Sequence, residues 1–141
     1  MHGDRGAALL ARLPVLVKWS GRMIQIKTAR EIELMRASGL VTAGAIAAVK
    51  AAVAPGVTTG ELDAIAEDHI RSKGAVPNFL GYHGFTGTIC ASINDEICHG
   101  FPRRQPLKSG DIVTIDMVVN LNGADTVVVN VSGTHFNDTA N

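Results

Sequence analysis

Two Thr-x-x-Glu boxes fix where helices can start in this chain, and they constrain its fold more than any other local feature. In Thr28-Ala-Arg-Glu31 and again in Thr58-Thr-Gly-Glu61, the threonine hydroxyl can take one of the free amides of a first helical turn. The glutamate three residues on can reach back to the cap's own amide, so each box satisfies two donors reciprocally. After the first box Ile32, Met35, Leu40, Ala43, Ile46, Ala47 and Val53 recur at roughly helical spacing, and Pro55-Gly56 predicts an end near residue 53. After the second, Leu62, Ile65, Ala66 and Ile70 share one face, and Gly74 suits the left-handed position just past the last turn.

Beyond Gly74 the pattern changes. Thr88–Ile93, Glu96–His99 and Ile112–Leu121 read as strands, as does a short lead-in at Met23–Lys27. Asn122-Gly123 is a two-residue hairpin signal, with Val127–Val131 as the returning strand. Helices followed by antiparallel strands predict an α+β fold. A turn at Asn122-Gly123 also sets a register, with Asp125 opposite Asn120 and Val129 opposite Asp116. Asp125 would then face the same side as Asp116 but roughly 13 Å along the strand.

Composition narrows the class. Hydrophobic residues make up 46% and charged residues 18%, as in a folded domain with a sizeable core. Thirteen basic residues balance thirteen acidic ones, so no net field draws the chain to nucleic acid or to a membrane. Arg103-Arg104 is an isolated pair, expected to be solvated, and gives no phosphate footprint. Residues 1–22 carry Arg5, Arg12, Lys18 and Arg22 against Asp4, a basic extension ahead of Met23. Its apolar run from Ala7 to Val17 is interrupted by Arg12 and Pro14 and is too short for a membrane span. Cys90 and Cys98 lie eight apart on expected strands, which predicts free thiols in a reducing cytoplasm.

Several segments carry chemistry in a fixed order: Ile26-Lys-Thr, Pro55-Gly-Val-Thr-Thr, Glu61-Leu-Asp, Gly81-Tyr-His-Gly-Phe, Asn94-Asp-Glu, His99-Gly-Phe-Pro and Gly110-Asp-Ile-Val. Together they resemble the type I methionine aminopeptidases, members of the pita-bread metallopeptidases, from about Met23 to Gly123. The resemblance implies the N-terminal half of a pita-bread fold, spanning 23–124, between the extension at 1–22 and a divergent tail at 125–141. It implies removal of the initiator methionine from nascent polypeptides whose next residue is small, with ribosome proximity. It also implies two divalent ions per site, manganese, iron or cobalt, which suit carboxylate and imidazole ligands.

Carried over by position, Phe79, Tyr82, Phe85 and Cys90 match the lining of the methionine pocket, where an unbranched thioether wants apolar, aromatic walls. His99 matches the histidine that contacts substrate near the scissile bond, and His83 lies beside the same pocket. Asp116 matches the first of two metal-binding hairpin aspartates. It sits among Val113, Ile115, Val118 and Val119, where a buried carboxylate needs a cation or amide donors. Asp111 reads as a turn residue capping local amides.

The second aspartate of the family falls at Val127 here, with Asp125 the nearest carboxylate and the candidate second metal ligand, and the resemblance is lost from Thr126. His135 and Asp138 are expected to be solvated. The chain therefore reads as a truncated or frame-disrupted family member, inactive alone. The alternatives are another pita-bread peptidase acting on proline, a non-catalytic binding module, or a half-domain that pairs with another chain.

Overall fold

The structure is a computed structural model that describes residues 16–19, 22–125 and 129–134, with side chains from 26 to 125. The chain divides into two compact units, 1–32 and 33–141. In the first, β1 (Leu16–Trp19) and β2 (Arg22–Gln25) form an antiparallel hairpin with Leu16 opposite Gln25.

Helix α1 (Ala29–Ala52) begins on the first box, the Thr28 amide donating to Glu31 Oε2 at 2.7 Å and the Glu31 amide to Thr28 Oγ1 at 3.3 Å. Its buried face differs from the expected one. Ser38, Thr42, Ala45 and Val49 are buried, whereas Leu40 is 71% exposed. From Ala37 to Val49 the helix is apolar nearly all round, so periodicity selects no face there, and α1 is long and apolar enough by composition to cross a membrane. Small residues and one polar contact make the choice instead, for the Ser38 hydroxyl donates to the Val119 carbonyl at 2.7 Å.

Helix α2 (Thr59–Ser72) follows the sequence closely. Thr58 and Glu61 form the reciprocal cap, which holds the Glu61 carboxyl below its ordinary range through the Thr58 amide and then the hydroxyl. Leu62, Ala66 and Ile70 are buried, and Gly74 takes φ +71. There the Gly74 amide reaches Arg71 O and the Ala75 amide reaches Ile70 O, closing the last turn.

The strands are β3 (Val76–Pro77), β4 (Cys90–Ile93), β5 (Ile112–Met117), β6 (Val119–Leu121), β7 (Ala124–Asp125) and β8 (Val129–Thr134). They form two antiparallel three-stranded sheets, ordered β3-β6-β7 and β4-β5-β8. Two sequence expectations fail here. Glu96–His99 is no strand, because the Glu96 carboxylate turns back to accept the Ile93 amide at 2.8 Å and Asn94 adopts φ +57. The long strand expected over 112–121 breaks at Val118, sending its two parts to different sheets.

The Asn122-Gly123 hairpin forms with φ of +54 and +81, the pair of positive values its two-residue turn requires. Asn120 faces Asp125 as expected, but Asp116 faces Asn130 and not Val129. Two residues (118 and 119) separate the paired stretches on the outgoing limb and three (126–128) on the return, so the register advances by one. One hydrophobic cluster joins Ala45 and Val49 of α1, Leu62 and Ile70 of α2, and Ile89, Ile115, Met117 and Val119 beside or within the sheets.

Candidate functional site

Phe79, Tyr82, Phe85, Cys90 and His99, the five side chains expected at the substrate pocket, line one cavity of about 320 Å³, joined by His83, Gly84 and Phe101. This volume is at the small end of ligand sites.

Three stretches of chain build the walls. The Asn78 amide donates to Val118 O at 2.9 Å, tying the segment before Phe79 to the sheet. The next wall is a tight turn at Tyr82–Gly84, closed by the Gly81 amide on Phe85 O at 2.8 Å and the Phe85 amide on Tyr82 O at 2.9 Å. Gly81, His83 and Gly84 all take positive φ there, and the compact turn brings the Tyr82 and His83 rings edge to face at 4.4 Å. Phe85 packs edge-on to Phe79 with centroids 6.2 Å apart and lies 4.8 Å from Phe101. Such aromatic faces and edges are good partners for a thioether sulfur.

The third stretch carries His99 and Phe101 along β4. The Ala91 amide donates to Gly100 O at 2.8 Å, and the Gly100 amide donates to Ser92 Oγ at 3.1 Å. His99 itself sits at φ +57, a left-handed conformation uncommon for a residue with a side chain. The far end of this loop is held by Arg103, whose Nη2 lies 2.6 Å from Glu96 Oε1 and whose amide donates to Thr59 Oγ1 at 2.9 Å. The expectation that Arg103 is merely solvated fails, because its partner Glu96 is in a turn and not a strand.

Asp116 lies on β5 directly opposite Cys90 and is 4% exposed. Its Oδ1 is buried and has no hydrogen-bond partner among the described residues. Burial pushes its carboxyl above the ordinary aspartate value, opposed by the neighbouring His99. The Cys90 thiol is pushed up to about 11, first by burial and then by Asp116, Cys98 and Asp63, so it is protonated and slow to react at neutral pH. Cys90 and Cys98 are both free thiols.

An orphaned carboxylate oxygen is the donor a divalent cation would take. The described residues go no further toward a metal centre, since no group of three His, Cys, Asp or Glu among them could hold an ion. Asp125 is in the other sheet from Asp116, and its Oδ1 accepts from Asn78 Nδ2 at 2.7 Å and Asn120 Nδ2 at 2.6 Å. Val127, His135 and Asp138 lie outside the described residues. Asp111 caps its turn, accepting from the Lys108 amide at 2.8 Å and from Asn94 Nδ2 at 3.0 Å.

Sequence reasoning passed over two residues. Phe101 is half exposed at the rim of the cavity, and its signal was its place two residues after His99 in His-Gly-Phe-Pro. Asp63, within Glu61-Leu-Asp, accepts the Thr88 and Ile89 amides, each at 2.8 Å. No local pattern announces that contact, which spans 25 residues.

Comparison with known proteins agrees with this geometry. Methionine aminopeptidase 1 of Bacillus subtilis is 48% identical over 101 residues, covering 72% of this chain and 41% of that protein. A methionine aminopeptidase from Rickettsia prowazekii superposes with a TM-score of 0.71 at 41% identity, over 78% of this chain and 43% of that one. Prolidase from Pyrococcus furiosus, at 19% identity and a TM-score of 0.64, shares the fold alone over 77% of this chain and 32% of its own. The chain thus has the N-terminal half of the pita-bread fold and spans less than half the length of these methionine aminopeptidases. The sequence profile of metallopeptidase family M24 matches residues 33–138, past the point where the sequence motifs fade, and the chain belongs to that family.

Proposed function

We propose that the aromatic cavity receives the methionine side chain at the N-terminus of a nascent polypeptide whose next residue is small. The observation that carries this reading is the convergence of Phe79, Tyr82, Phe85, Cys90 and His99 on one cavity of about 320 Å³. Phe79, Phe85 and Phe101 supply the apolar surface that a thioether prefers, while Tyr82 closes the exposed side. His99, held at the rim beside Asp116, reaches the peptide bond next to that side chain and can donate or accept a hydrogen bond there. The free thiols fit a reducing cytoplasm, where nascent chains leave the ribosome.

In this reading Asp116 is a ligand for a divalent cation, manganese, iron or cobalt. Such ions, two per site in the family, would supply Lewis-acid polarisation of a carbonyl and activation of water. The described residues bring one carboxylate to that task and do not by themselves fit a dinuclear centre, so the chain as it stands is proposed to bind methionine without ordinary turnover.

Methionine release from Met-Ala-Ser, measured with added manganese or cobalt, tests the second part. The expected rate is at least about a hundredfold below that of the Bacillus subtilis relative. Release at the relative's ordinary efficiency would overturn it.

A further inference from the structure

We infer that Asp63 of α2 is a positioning residue for this cavity, its carboxylate fixing the strand start that carries Cys90 into the wall. The role rests on the reading of the cavity as a methionine pocket. One oxygen, Oδ1, accepts both the Thr88 and the Ile89 amides at 2.8 Å. Thr88 and Ile89 are fully buried, and the ladder between β4 and β5 begins only at Cys90 opposite Asp116. Asp63 is therefore the acceptor that the sheet does not provide, and two buried amides without one would be costly.

The segment it holds has little slack. A methyl group at Gly87 would lie 2.8 Å from Pro102 Cγ and 3.0 Å from Ile89 O. Phe85 and Cys90, at the two ends of that segment, both line the cavity. The helix bearing Asp63 is itself anchored to the loop of His99 through Thr59 and Arg103. Movement of residues 88–89 would thus move Cys90 and reshape the pocket.

The test uses the full chain, with Asp63→Ala and Asp63→Asn, and L-methioninamide as the probe. Alanine removes the acceptor, whereas asparagine keeps an oxygen in place. Asp63→Ala is expected to weaken binding about tenfold, with Asp63→Asn recovering to within about threefold of wild type. In a Cys98→Ser background, alkylation of Cys90 by iodoacetamide is expected to speed up several-fold in Asp63→Ala and to return toward wild type in Asp63→Asn. A role confined to overall stability would lower the melting temperature without this conservative rescue.

Wild-type binding and Cys90 reactivity in Asp63→Ala would overturn the inference while leaving the pocket intact. If the wild-type chain does not take up the probe, the pocket reading fails and the alkylation rates alone decide: faster and rescued supports positioning, unchanged overturns it. Should Asp63→Ala not fold, the amide protons of Thr88 and Ile89 decide in Asp63→Asn. Both are expected to move upfield as the charged acceptor is lost, and unmoved resonances overturn the inference.

Discussion

Replacing Gly100 with alanine is expected to destabilise the chain by about 3 kcal/mol or more and to abolish methioninamide binding. A Cβ at this position would lie 2.2 Å from the Ala91 carbonyl oxygen and 2.8 Å from its carbon. Both are backbone atoms of a buried strand, so no side chain can swing aside to relieve the overlap. The requirement is close approach, because Gly100 is not among the glycines with positive φ. Pushing Gly100 away would break its hydrogen bonds to Ala91 and Ser92 and carry off both its neighbours, His99 and Phe101. Ser92→Ala, which removes only the acceptor of the Gly100 amide, is expected to cost about 1 kcal/mol. Urea unfolding of the two variants checks the ranking. A Gly100→Ala chain as stable as wild type would show that the loop does not seat on β4 as described.

Asp116→Asn is expected to stabilise the chain at neutral pH and to lose that advantage in acid. In metal-free buffer at neutral pH it should stabilise the chain by about 1 kcal/mol, because the wild type buries a carboxylate oxygen that has no partner among the described residues. Burial raises this group's folded value above its unfolded one, so the folded state holds the proton more tightly. Stability from this group is therefore greatest below the ordinary aspartate value and is lost as pH rises through that value to the raised one. The advantage of asparagine should accordingly appear at neutral pH and vanish in acid. Added manganese should leave the melting temperatures of the wild type and of Asp116→Asn nearly unmoved, since only a ligand that binds the folded state stabilises it and one carboxylate among the described residues does not hold the ion. A variant less stable than wild type at neutral pH without metal would contradict this account of the carboxylate.

The parts of the fold legible in the sequence are those governed by local chemistry. Both capping boxes, the Gly74 helix end and the Asn122-Gly123 turn depend on residues within a few positions of one another, and all form as expected. What escaped depends on partners far along the chain. The face of α1 is chosen by Ser38 meeting Val119, 81 residues away, on a helix too uniformly apolar to advertise it. The turn at Glu96 imitates a strand in composition, and its ion pair with Arg103 is invisible to any periodicity. The register at Asp116 slipped by one residue because the hairpin's own geometry does not extend past the break at Val118.

The candidate site divides in the same way. Tyr82 and Phe85 stand in a glycine-bracketed loop, where aromatic residues have no periodic core to fill, and the structure places both on the cavity. Asp116 was legible as a carboxylate in an apolar strand, and its oxygen is indeed buried and unpartnered among the described residues. Asp125 was attractive only for its nearness in sequence to Val127, and in the fold two asparagine amides occupy its Oδ1. Asp63 was hidden, since a carboxylate on the partly polar face of a helix looks solvated until a distant strand start is brought against it.

Calorimetric titration of L-methioninamide into the wild-type chain and into Phe85→Ala, with L-alaninamide as the control, tests the central claim most directly. Saturable binding of methioninamide, weakened about tenfold in Phe85→Ala and absent for alaninamide, is the predicted result. Equal binding of the two amides, or an affinity untouched by Phe85→Ala, would contradict the assignment of this cavity to the methionine side chain.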